Sequence, residues 1–285
     1  MRSNIPPKKS GEIGSGREVG PIVTMTVDDC WESHARRFNE AFRSVSLHGV
    51  FYVIAGFVGK EINGFRFIDW DALRRISAQG HEVGSHSFTH KVSSGSMMTR
   101  AGQLVRLARH KGLVHSARQL TNTILRSEEE YPVEHLSEQD ELAVSKLEIE
   151  KQLGRPCESY SYPGGQLTSA LKNMVRDTGY TSARTTILGF NNFDRIQPYT
   201  IRTQMWDRNT TAKTADRWVN HAIREGLWLV EVFHAIDSPG YLYSCSESAL
   251  KEHMSYVHSK RGEIQNLTVS EAIRQVHQKW SITLL

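Results

Sequence analysis

The chain has 285 residues, an apolar fraction of 39% and six tryptophans, enough for one large domain or two small ones with a substantial core. Its formal charge of +4 is mild and its basic residues are widely spread, so charge does not by itself argue for nucleic-acid or membrane binding, and no nucleic-acid partner is expected. No run approaches a membrane span, and Cys30, Cys157 and Cys245 lack Cys-x-x-Cys spacing, so they read as three reduced thiols rather than a disulfide or zinc framework.

Residues 1–20 are rich in Gly, Ser, Pro and charge and read as a loose N-terminal arm. The arm has no apolar h-region, which points to a cytoplasmic chain, although a shortened secreted one would look the same. Pro21 to Val27 reads as a buried strand that stops at Asp28-Asp29-Cys30-Trp31, followed by a helix over Ala35 to Ser46 and a second strand over Val50 to Ile54. Asp69 is placed to cap a helix whose Leu73 and Ile76 face the core, closed by Gly80. A third strand, around His81 to Ser85, delivers His86 and His90. Lys91 to Ser127 then contains no Asp or Glu, and its leucines recur at near-helical spacing, which predicts a basic helical insertion at about 91–134.

Ser137-Glu-Gln-Asp140 resembles a reciprocal cap for a helix ending at Gly154. Pro156 to Tyr162 reads as a fourth strand, broken by Pro163-Gly164-Gly165. Thr168 or Ser169 caps a helix that stops at Gly179. Tyr180 to Thr186 and Tyr199 to Thr203 are the fifth and sixth strands, Thr211 to Glu225 an amphipathic helix, and Leu227 to Phe233 the seventh strand, running into His234. Helices near Ser246 to Lys260 and Val269 to Lys279 complete the chain. Steady alternation of strand and helix predicts an α/β fold, a distorted (β/α) barrel of about seven parallel strands, with residues 21–285 as a single catalytic domain.

Active sites of such barrels form on loops at the carboxyl ends of the strands. Four unusual clusters fall there: Asp28-Asp29, His86 with His90, Tyr162 to Gly165, and His234. Each alone has a bland explanation, a turn or a core histidine; their joint placement on one rim does not. In a helical turn the four-residue spacing of His86 and His90 would set both imidazoles on one face. One Asp with two His is the ligand mix of a catalytic zinc with open positions, and no fourth ligand stands out for a closed site. A water on the metal is acidified, the second Asp can accept its proton, and His234 can return one to a leaving group. Metal-assisted hydrolysis follows from this set.

The same clusters, in this order, resemble the polysaccharide deacetylase family (carbohydrate esterase family four). Thr26-Val27-Asp28-Asp29-Cys30 resembles its Thr-Phe-Asp-Asp-Gly, His86-Ser87-Phe88-Thr89-His90 its His-Ser/Thr-x-x-His, Ser161-Tyr162-Pro163-Gly164-Gly165 its Arg-x-Pro-x-Gly, and Val232-Phe233-His234 its Leu-x-His. The resemblance implies a divalent metal, usually zinc with cobalt or nickel as fitting substitutes, held by Asp29, His86 and His90. It implies Asp28 as general base, His234 as general acid, and the Tyr162 backbone N–H as an oxyanion donor. Pro163, Gly164, Arg184 and Trp31 join Tyr162 as expected oxyanion or substrate contacts. The implied reaction removes the acetyl group from an N-acetylated sugar, in a polysaccharide or oligosaccharide.

Three departures stand out. Ser161 occupies the place of an arginine that orients the base, which Arg184 or Arg202 could supply; Cys30 replaces a glycine; and Trp206-Asp207 is the nearest copy of an acidic-aromatic motif supporting His234. Two alternatives remain: a same-fold hydrolase of another C–N bond (a cyclic ureide, imide or formamide), and a non-catalytic saccharide-binding relative. The sequence leaves the oligomeric state open.

Overall fold

The structure, a computed structural model, describes residues 19–91 and 136–283. Most of the expected N-terminal arm, and the expected basic insertion from residue 92 onward, lie outside the described residues. Seven strands form the barrel: β1 (Ile22–Val27), β2 (Gly49–Val53), β3 (Glu82–Ser85), β4 (Ser159–Ser161), β5 (Ser182–Leu188), β6 (Ile201–Met205) and β7 (Trp228–Phe233). Every neighbouring pair is parallel and follows chain order, and β1 pairs with β7 along its whole length, Ile22 with Trp228 through Val27 with Phe233, so the sheet closes. Closure removes every strand edge from the barrel wall. One short strand, β8 (Gln265–Asn266), pairs in parallel with the start of β1, Ile22 with Gln265 and Val23 with Asn266; a polar dipeptide carries no periodicity by which to foresee it.

Seven helices accompany the strands: α1 (Glu32–Ser44), α2 (Trp70–Ala78), α3 (Glu138–Leu153), α4 (Ser169–Asp177), α5 (Ala212–Glu225), α6 (Glu247–Ser259) and α7 (Val269–Thr283). Their ends obey local chemistry. Asp69 accepts from the Ala72 N–H, Thr168 from Leu171, Thr211 from Thr214, and Ser137 exchanges bonds with Asp140 as a full capping box. α3 ends at Gly154, whose φ of 64° is the left-handed conformation a side chain resists. α1 starts three residues before the expected Ala35, because Glu32 to His34 continue the helix without an apolar marker.

Alternation along the strands sorts the core into two layers. Val23, Met25 and Val27 of β1, with Phe51 and Phe233, pack under the helices. Ile22, Val50, Tyr52, Ile201, Trp228 and Val230 form an inner cluster with Val269, Ala272, Ile273 and Val276 of α7, which therefore covers the amino ends of the strands. Gly84 is required inside: a Cβ there would overlap the Tyr52 ring. With one end covered by α7, the carboxyl ends of the strands remain for chemistry.

Candidate active site

β1 ends where the Asp28 N–H donates its last ladder bond to the Phe233 carbonyl at 2.9 Å. Asp29 and Cys30 then take φ of 61° and 56°, conformations that L side chains adopt only at a cost of roughly 1 kcal/mol or more each. Among the described residues seven non-glycine positions have positive φ, and four of them, Asp29, Cys30, Ser87 and His90, lie in the two loops that carry the candidate ligands. Backbone strain is thus concentrated in the two loops that carry the candidate ligands.

His86 leaves β3 with its N–H bonded to the Val53 carbonyl at 2.8 Å, and its ring Nδ1 lies 2.8 Å from the Ser161 carbonyl. A carbonyl partner makes Nδ1 the protonated nitrogen and leaves Nε2 as the free lone pair. The two histidines are joined by a bend at Phe88 and Thr89 and not by a helical turn, with Ser87 at φ 65° and His90 at φ 59°. The imidazoles still meet, with ring centroids 4.7 Å apart. What folds the bend is Glu141, buried on the first turn of α3. Its Oε2 accepts the Phe88 and Thr89 N–H groups at 2.9 and 2.8 Å, and its Oε1 the Thr89 hydroxyl. Sequence reading missed Glu141, because an acidic first helical turn is ordinary and nothing local says that this side chain is buried.

Asp29 Oδ1 lies 3.5 Å from His86 Nε2 and 3.6 Å from His90 Nε2. Ligand atoms about 2.0–2.1 Å from a zinc at tetrahedral angles are spaced about 3.3 Å apart, so these side chains fit a divalent ion with little movement. Asp29, His86 and His90 are the one such group of potential ligands among the described residues. Electrostatics agree. Burial pushes the Asp29 carboxyl up to about 6 and the His86 imidazole down to about 3, which disfavours a bare carboxylate and keeps the imidazole neutral and able to ligate.

Asp28 has the opposite fate. Burial is the largest influence and opposes its ionisation, but Arg184, His86 and His234 together outweigh it, and the carboxyl is lowered to about 2. The Arg184 guanidinium is fully buried, pairs with Asp28 Oδ2, and lies 5.3 Å from the centroid of the Tyr52 ring. Arg184 is the direct register partner of Ser161, so the arginine lacking from β4 is supplied one strand over. A register irregularity between β5 and β6 begins at Arg184. Arg202 does not compete: its Nη1 reaches the Leu188 carbonyl at 3.4 Å, away from Asp28.

His234, at the end of β7, sets Nε2 3.7 Å from Asp28 Oδ2. Its Nδ1 is buried and has no hydrogen-bond partner, so the support expected from Trp206-Asp207 is not made. Trp206 instead packs in the wall against Phe233 and His253, and Asp207 Oδ1 takes the Asn209 N–H and the Thr210 hydroxyl. The His234 ring is held by aromatic contact, stacked on Tyr243 at 5.2 Å with Tyr241 at 6.2 Å, two residues that sequence reading did not single out.

Pro163 to Gly165 form one 3-10 turn after β4, with Gly164 at φ 59°. The Tyr162 N–H, expected as an oxyanion donor, is here bonded to the Arg184 carbonyl at 3.2 Å, continuing the β4–β5 ladder. Cys30 is no ligand. Its Sγ points to the Tyr52 carbonyl at 3.4 Å, and burial raises its thiol well above the usual range. Trp31 stands half-buried at the rim beside Phe65 and Tyr241.

Comparison with solved structures places this architecture among known folds. A putative polysaccharide deacetylase from Mycobacterium smegmatis is 13% identical, with 92% of each chain covered and a TM-score of 0.57. A family 4 acetyl xylan esterase from Clostridium thermocellum, in complex with a cobalt ion, is 17% identical over 89% of this chain and 90% of its own, with a TM-score of 0.52. IcaB from Ammonifex degensii is 22% identical, and this chain spans 57% of its length with 56% of its own, at a TM-score of 0.40. No curated protein matches the chain. A family model described as polysaccharide deacetylase matches residues 16–183, more than half of the sequence, and the chain belongs to the polysaccharide deacetylase family.

Proposed function

We propose that the chain is a metal-dependent hydrolase that removes the acetyl group from an N-acetylated sugar within an oligosaccharide or polysaccharide. The observation that carries this reading is the convergence of Asp29, His86 and His90 at ligand spacing beside an ionised, arginine-clamped Asp28. A divalent ion held by these three residues, with zinc the best match to one carboxylate and two imidazoles, supplies a Lewis acid for the amide carbonyl and lowers the pKa of water.

The chain's own residues do the rest. Asp28 Oδ2 stays ionised across the working pH range and accepts the proton of the attacking water. A carboxylate this acidic is a weak base, so Arg184 contributes position and a constant charge state rather than basicity. His234 Nε2 gives a proton to the departing sugar nitrogen as the C–N bond breaks, leaving acetate and a free amine. The proton taken by Asp28 lies 3.7 Å from His234 Nε2, close enough for a water or a small ring movement to return it.

The test is acetate release from N-acetylglucosamine oligomers. Turnover should vanish with chelator, return with zinc or cobalt, and be lost in Asp28→Asn. Metal-loaded protein that releases no acetate from any N-acetylated saccharide, yet opens a cyclic imide or ureide, would overturn the assignment.

A further inference from the structure

A hairpin between β2 and α2 pairs Glu61 with Arg66 and Ile62 with Phe65 around Asn63 and Gly64, both at positive φ. It is tied to the end of β1: Trp31 bridges Phe67, and the Ile68 N–H donates to the Cys30 carbonyl at 3.1 Å. The hairpin holds the Phe65 ring stacked on Trp31, centroids 4.6 Å apart and planes within 19°, yet Phe65 remains 44% exposed. Few large hydrophobic side chains among the described residues are so exposed, and core packing gives no reason for it.

The stack continues inward. Trp31 meets Tyr241 edge-on at 5.2 Å, Tyr241 lies 6.2 Å from His234, and Tyr243 stacks on His234. A row of ring contacts thus runs from His234, beside the base, out to an exposed phenyl. The polar side chains beside it are already matched in charge: Glu32 accepts from both Arg36 and Arg66, and Arg36 also lies 3.8 Å from Asp69. Such a surface offers apolar faces and hydrogen-bonding groups with no large net charge, which suits the C–H face and hydroxyls of a neutral sugar better than an acidic ligand.

We propose that Phe65, Trp31 and Tyr241 form a subsite for the pyranose rings next to the reacting residue, making the enzyme selective for neutral saccharide chains over single sugars. The inference rests on the deacetylase reading for its orientation, but its binding step is tested without turnover. Cellotetraose, xylotetraose and N,N′,N″,N‴-tetraacetylchitotetraose are titrated against the full chain while tryptophan fluorescence is followed, with Trp31→Phe identifying the responding ring. The first two carry no acetamido group and cannot be deacetylated. At least one tetramer should quench the wild type, with affinity reduced about tenfold in Phe65→Ala and retained in Phe65→Trp. In acetate release, Phe65→Ala should raise KM for the chitotetraose about tenfold with little change in kcat. Binding of no tetramer, or an unchanged tetramer response in Phe65→Ala, overturns the subsite; turnover of the chitotetraose unaffected by that variant overturns it while leaving the deacetylase reading intact.

Discussion

Replacing Arg184 with Met removes the guanidinium that does most to keep Asp28 ionised inside the barrel. The pair is almost fully enclosed, with side chains 0% and 3% exposed, so solvent cannot take over the charge. Asp28 is lowered from 3.8 to about 2 by its surroundings, a net stabilisation of the ionised fold on the order of 2 kcal/mol. The single variant should cost more, about 3–5 kcal/mol, because it strands a buried carboxylate. Asp28→Asn, which strands the guanidinium, should also destabilise. The double variant should recover about 2–3 kcal/mol relative to the sum of the singles. Urea unfolding followed by circular dichroism at pH 7 measures all four corners. The sign of the pH dependence is fixed as well: the folded pKa lies below the unfolded value, so the wild-type contribution is complete above about pH 4 and is lost as pH falls toward 2. Additive single losses, or an Arg184→Met loss under about 1 kcal/mol, would refute a coupled buried pair.

Glu141→Gln keeps the shape of the side chain but removes the charge that gathers the Phe88 and Thr89 N–H groups; zinc affinity should fall about 10- to 100-fold with the fold intact, as read by competition with a chromogenic chelator. His253 is buried between Asp216 at 2.8 Å and Glu231 at 3.0 Å; burial alone would lower its pKa, but the two carboxylates raise it to about 9. Its folded value exceeds the unfolded one, so up to about 3 kcal/mol of stability is present below pH 6.5 and is lost as pH rises through 9, a slope that His253→Gln should flatten in urea titrations. The three cysteines are all buried with thiols raised by burial, so a thiol reagent should label none in the native protein and all three after unfolding; rapid native labelling of Cys30 would contradict its packing against Tyr52.

The seven barrel strands and the described helices were legible because closure of a parallel barrel demands buried apolar runs alternating with capped amphipathic helices, and both leave one-dimensional traces. Ser137 with Asp140, Asp69 and Thr168 announced their helix starts for that reason. The rim residues were equally visible, since each follows directly on a strand whose end could be placed. Contacts that form only in three dimensions were not. Either Arg184 or Arg202 fitted the missing charge, and only the pairing of Ser161 with Arg184 distinguishes them. Glu141 gives no sign along the chain that it clamps a loop fifty residues upstream. The family resemblance implied an oxyanion role for the Tyr162 N–H, and no local signal shows that the ladder continues one residue further and pairs it with the Arg184 carbonyl. The way His86 and His90 meet was not legible either: the glutamate gathers the intervening N–H groups into a bend that spacing alone does not distinguish from a helical turn.

Metal retention probes the convergence of Asp29, His86 and His90 most directly. Chelator-stripped wild type dialysed against zinc should retain about one ion per chain by elemental analysis, and Asp29→Ala and His90→Ala, checked by circular dichroism to be folded, should each retain less than about a tenth of that. Folded wild type that holds no zinc, cobalt or nickel, or variants that hold as much as wild type, would contradict a shared site at these three residues.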